Sequence, residues 1–169
     1  MATPLAARPH IPGDGLWAAT EGTGLFAWSW ALSRLAASHD YWVATVWPDG
    51  HPHLVPVWGV WREDALWFGS ALQARKARNL AAEPRCTLTT DDPHRPVVLD
   101  GVAERIVDHH RIAGFAEHVN REYGTRYGPD FYDPATNGTY RVAPRSVFAL
   151  DDSDFTGSPT RWSFPDTAG

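Results

Sequence analysis

The sequence predicts a mainly β fold with helices attached, an antiparallel barrel of about six strands. Runs of strand length, rich in Val, Trp, Leu and Thr, recur along the chain with turn signals between them. Three other stretches read as helices, two of them from apolar residues at helical spacing. The 169 residues, 43% apolar and 21% charged, suit one globular domain with a sizeable core. Residues 1–15, rich in Ala, Pro and Gly, are expected as a flexible N-terminal arm. Residues 16–169 are expected as the single domain, closing with a strand and tail.

From Gly24 to Ser38, Leu25, Trp28, Leu32 and Leu35 share a helical face, with Thr23 as the cap. Tyr41–Trp47 is apolar or neutral on both sides, as in a strand covered on both faces. Trp47-Pro-Asp-Gly50 has Pro second and Gly fourth, which suits a tight hairpin turn. His53–Trp61 returns as the next strand, and its Pro56 cannot donate to a ladder. Pro56 therefore marks an edge, a bulge or a gap. Arg62-Glu-Asp64 turns the chain into a strand over Ala65–Gly69, and a Gly-Ser turn follows. A helix then runs from about Ala71 to Ala82 and stops before Pro84. Arg85–Thr90 and Val97–Val107 are further strands, with Gly101 a bulge or kink in the second. Asp108 caps a helix with Ile112, Phe115, Ala116, Val119 and Tyr123 on one face and Gly124 as its stop. Residues 126–138 read as a loop, Thr139–Leu150 as a long strand, and Thr160–Phe164 as a short last segment.

Charge and cysteine content exclude several functions. A formal charge of −5 and a pI near 5.8 leave no general footprint for nucleic acid. No apolar run is long enough to span a bilayer, and Pro4, Pro9 and Pro12 interrupt any signal-peptide pattern. Cys86, the only cysteine, rules out an intrachain disulfide and fits a reducing compartment, so the cytoplasm is expected.

The segment from Ala65 to Pro84 carries the strongest functional signal. Arg75 and Lys76 fall in the first turns of a helix, with Arg78 just behind. Cations there oppose the helix dipole, whereas an anion bound among them would be held by both charge and free N–H groups. Taken alone, a solvated charged face is the commoner fate of such a cluster. Ser70 reads as a helix cap, a phosphate ligand, or both. Nine Trp residues supply large flat surfaces, and of Trp58, Trp61 and Trp67 only Trp58 is expected to meet a planar ligand. His51 and His53 share a strand face, but nothing joins them at metal-site spacing. His109, His110 and His118 read as surface residues, Cys86 as a buried inert thiol, and Asp151, Asp152 and Asp154 as a solvated connection. No catalytic side-chain constellation and no metal site is expected.

Three runs, in order, resemble one known family: Ala44 to Trp58; Leu66-Trp-Phe-Gly-Ser70; and Arg75-Lys-Ala-Arg-Asn-Leu80 with Pro84-Arg85 and Val97–Glu104. The chain resembles the pyridoxamine 5'-phosphate oxidase-like FMN-binding split barrels, and most of all their actinobacterial flavin/deazaflavin oxidoreductase branch. The resemblance covers roughly residues 24–164. It implies a six-stranded antiparallel split barrel and a homodimer with cofactor sites at the subunit interface. It also implies FMN or coenzyme F420, an 8-hydroxy-5-deazaflavin, with its phosphate against Ser70, Arg75 and Lys76, next to Gly69 and Arg78. The ring would lie along Val55, Pro56, Val57 and Trp58. Members that oxidise pyridoxamine phosphate carry a basic-bracketed strand where this chain has His53–Trp58, and a Gln at the position of Pro96. Their C-terminal Arg-Leu motif is only echoed by Thr160-Arg-Trp162. These departures point away from vitamin B6 oxidation. The resemblance implies hydride transfer between the cofactor and a small organic substrate, and the missing catalytic constellation leaves open a carrier or sensor without turnover.

Overall fold

Short-range chemistry sets the first barrel hairpin. In the computed structural model, which describes residues 3–9 and 24–164, Gly50 N–H donates to Trp47 O at 2.9 Å and takes φ +91°. That left-handed backbone is open to glycine without a Cβ penalty. The hairpin joins β2 (Asp40–Val46) to β3 (Pro52–Arg62). Glu63 and Asp64, with φ 49° and 55°, form a two-residue turn into β4 (Ala65–Ala71). After α2 (Arg75–Ala82) come β5 (Arg85–Thr90) and β6 (Val97–Ile106), then α3 (His109–Glu122), β7 (Asn137–Ala149) and β8 (Thr160–Ser163). Before β2 lie β1 (Leu5–Ala7) and α1 (Trp28–Ala37). The fold is α+β. Strands β2 to β7 close a six-stranded antiparallel barrel in the order β7-β4-β3-β2-β5-β6, with β6 pairing back onto β7. β8 adds to β7, and β1 to β8.

The barrel core includes Leu66, Phe68, Leu88, Leu99, Val142 and Trp162, each 1% exposed or less. Burying a side chain of this kind contributes roughly 1.5–3 kcal/mol. A second core forms outside the barrel, where Ile112, Phe115 and Val119 of α3 pack on Val60, Trp67 and Ile106. These are the helical positions its periodicity predicts. Asp108 caps α3 by accepting from Arg111 N–H at 2.8 Å, and Gly124 at φ +64° follows its end.

The barrel opens at one seam. β3 pairs with β2 over Pro52–Trp58 but with β4 only over Gly59–Arg62. Beyond Phe68, Gly69–Ala71 pairs with β7 alone. Residues 52–58 of β3 thus lack a neighbour on the β4 side, and Pro56 occupies an edge, one of its predicted positions. At Gly101 the β6–β7 register shifts, so that Arg145 is the extra residue on β7. A Cβ on Gly101 would lie 2.5 Å from Ala143 O, so the close approach requires glycine.

Several boundaries differ from expectation. Gly69-Ser70 is not a turn; it continues β4, held by pairing with Thr139 and Gly138 of β7. The helix starts at Arg75 rather than Ala71, and its N-cap is Ala74 without a side-chain cap, so Ser70 is no helix cap. Within the segment expected as an arm, Leu5–Ala7 pairs with β8; residues 1–2 and 10–15, like the expected cap Thr23, lie outside the described residues. α1 begins at Trp28, leaving Leu25 exposed. β2 is covered on one face only in this chain, because Trp42 and Val46 are each 40% exposed.

Candidate functional site

A cavity of about 330 Å³ fills the seam where β3 and β4 part. One wall is Pro56, Val57 and Trp58 on the unpaired edge of β3. The opposite wall is Gly69, Ser70 and Ala71, backed by Asn137, Gly138 and Thr139 at the start of β7. Lys76 closes one end. Phe115 and Val119 of α3, with Tyr127, Phe131 and Tyr132 from the following loop, form an aromatic side. A Cβ on Gly69 would meet only Phe115, at 3.8 Å, so the bare glycine leaves room beside that ring.

Among the described residues, Lys76 is the only lysine or arginine lining the cavity. Burial pushes its ammonium below the usual lysine range, and among the described residues no carboxylate offsets this. It sits at the second position of α2, where Ala74 offers no side-chain cap for the first N–H groups. Charge and free donors therefore converge at one end, and they suit an anion. The α2 position is set by Asn79, fully buried, whose Nδ2 donates to Thr45 Oγ1 of β2 at 3.0 Å.

The sequence-predicted residues separate into two groups. Pro56, Val57, Trp58, Gly69, Ser70 and Lys76 come together around the cavity. Val55 packs on the barrel core and does not line the cavity, although it shares a strand face with Val57, which is buried in that core and also reaches the cavity. Arg75 leans the other way, its guanidinium 3.7 Å from the centre of the Trp47 ring, and Arg78 is exposed to solvent. Trp58 is 43% exposed, whereas Trp67 is fully buried and Trp61 packs against the core. Cys86 is buried and its thiol is pushed up to about 12, first by desolvation. Asp152 meets His94 Nδ1 at 2.6 Å, and Asp151 accepts from Ser153 N–H.

Sequence reasoning missed the aromatic side. Tyr127 and Phe131 stack at 4.1 Å and 11°, and Tyr132 is buried with no hydrogen-bond partner for its hydroxyl among the described residues. The available signal was three aromatics within the Gly-Pro loop Tyr127-Gly-Pro-Asp-Phe-Tyr132. No carboxylate, histidine or thiol lines the cavity among the described residues. Among those residues no helix is long and apolar enough to cross a membrane.

A family model described as pyridoxamine 5'-phosphate oxidase matches residues 32–151. A solved structure titled F420 reductase is 26% identical, with a TM-score of 0.57 over 68% of this chain and 93% of that one. A conserved hypothetical protein of Mycobacterium tuberculosis is 22% identical, with a TM-score of 0.68 over 79% and 90% of the two chains. A NimC/NimA family protein of Clostridium acetobutylicum is 14% identical, with a TM-score of 0.63 over 80% and 91%. The last two similarities show the fold alone. No curated protein matches the sequence.

Proposed function

The chain belongs to the pyridoxamine 5'-phosphate oxidase family, and on that premise we propose that it is an oxidoreductase binding a phosphate-bearing flavin in the β3–β4 seam. Coenzyme F420 is the first candidate and FMN the second; the likeness to a protein titled F420 reductase supports that order. The observation that carries the proposal is Lys76, a half-buried ammonium with no carboxylate partner among the described residues, at the edge of a largely apolar cavity. Burying a cation is costly unless something pairs with it. A phosphate supplies that partner.

When bound, the cofactor supplies a ring that accepts or donates hydride. The chain's own residues bind, orient and exclude water. Lys76 and the first N–H groups of α2 hold the phosphate, with Ser70 beside them. The unpaired β3 edge offers backbone groups to the polar rim of the ring, where donors stabilise developing charge. Phe115, Val119, Tyr127 and Phe131 shield the far side from water. Arg75 and Arg78 act at longer range, as part of the positive field around the α2 start.

Purified protein titrated with each cofactor and followed by fluorescence is expected to bind one of them at micromolar concentration or tighter. Binding to neither overturns the proposal. Among the described residues no carboxylate, histidine or thiol lines the cavity, which also favours a second reading, a cofactor carrier or sensor. Electron transfer from the reduced, bound cofactor to nitroaromatics, enones or quinones decides for the enzyme.

A further inference from the structure

We infer that Tyr123 is a positioning residue that fixes the indole of Trp58, and with it the β3 wall of the cavity. The inference rests on the cofactor reading above only for what that wall holds. The β2–β3 ladder ends at the pair Asp40–Trp58. At the next rung, where His39 would face Gly59, the hydroxyl of Tyr123 takes the place of a strand contact. Gly59 N–H donates to it at 2.8 Å, and it lies 2.9 Å from Gly59 O and within bonding distance of His39 O. A phenol carries one proton and donates to one of these carbonyls at a time. Its pKa is pushed up to about 12, first by burial, so the proton stays in place through the neutral range.

The ring of Tyr123 does the second half of the work. It stacks on Trp58 with centroids 4.5 Å apart and planes 18° from parallel. Trp58 is 43% exposed and lines the cavity, and Tyr123 is the aromatic ring recorded against it among the described residues. Tyr123 itself is anchored. It ends α3, its N–H donating to Val119 O at 2.9 Å, and Val119 is 4% exposed in the second core. The helix thus sets the tyrosine, the tyrosine sets the indole, and the indole faces the site.

A double-mutant cycle tests this. Tyr123→Leu is expected to weaken binding of FMN or F420, whichever the wild type takes, by roughly two- to tenfold, the range of one aromatic stack. Tyr123→Leu also removes the hydroxyl bonded to Gly59. The ring is therefore read as the step from Tyr123→Phe to Tyr123→Leu, which is expected to cost affinity in the presence of Trp58 and nothing further in the Trp58→Leu background. Losses that add would make Tyr123 a general structural residue and overturn the inference. Should Tyr123→Leu fail to fold, Tyr123→Met runs the same cycle. If the wild type binds neither cofactor, the functional reading fails, and the positioning claim is read from ligand-free protein. Near-ultraviolet circular dichroism is then expected to change on Trp58→Leu in the presence of Tyr123 and to stay unchanged once Tyr123 has been replaced. Equal changes in both backgrounds overturn it.

Discussion

Lys76 and Arg75 are neighbours in sequence with opposite surroundings. Lys76 lines the seam, whereas Arg75 lies on the Trp47 ring. Lys76→Ala is expected to weaken cofactor binding by about 1.5–3 kcal/mol, the scale of a hydrogen bond to a charged group; a fluorescence titration measures it. Arg75→Ala is expected to cost less affinity, and to lower stability by about 0.5–1 kcal/mol through loss of its cation–π contact. A urea melt followed by tryptophan emission reads that loss. The run Arg75-Lys-Ala-Arg78 was legible as a cluster of cations at a helix start, but which cation faces the cavity was not. Consecutive helical residues point about 100° apart, and only packed neighbours such as Trp47 decide where each long side chain settles.

At the scale of elements, α2 depends on one buried contact. Asn79 donates to Thr45 on β2, and its Oδ1 already lacks a partner. Thr45→Val keeps the shape and removes the acceptor, leaving the Asn79 amide unpaired. The expected cost is about 1–3 kcal/mol in a denaturant melt. Gly101→Ala places a Cβ 2.5 Å from Ala143 O and 2.6 Å from Val142 Cγ1. Overpacking of this kind costs about 1–3 kcal/mol, and the same melt reads it. Hairpin turns and the Asp108 cap were legible because their determinants lie within four residues. Gly69-Ser70 was misread as a turn because its strand pairing comes from Gly138 and Thr139, nearly seventy residues downstream.

For the whole molecule, burial of phenols and a thiol sets the alkaline limit. Burial, the first cause in each case, pushes Tyr123, Tyr132 and Cys86 up to about 12 and Tyr41 further. In the unfolded chain the thiol releases its proton near 9.0 and the phenols near 10.0. Above those values the unfolded state binds fewer protons than the folded one, so stability falls with rising pH. The contribution of these four groups to the melting temperature is therefore expected to be constant from neutral pH to about pH 9 and to drop steadily from there toward pH 12. Trp42, Val46 and Leu54, at 40%, 40% and 59% exposure, lie on the outer face of β2 and β3. A homodimer through this face fits their exposure. Sedimentation is expected to show a dimer that Leu54→Glu weakens.

The residue order by itself determined the antiparallel barrel, its hairpins, the α3 face and a positively charged start to α2. Each rests on local periodicity, turn geometry or charge spacing, which neighbours in sequence carry. Only the tertiary structure decided where the barrel parts, that Lys76 rather than Arg75 faces the gap, and that Tyr123 and the aromatic loop complete the wall. Those features join β3 with β4, α2 and α3, and their geometry follows from packing among elements far apart in the chain.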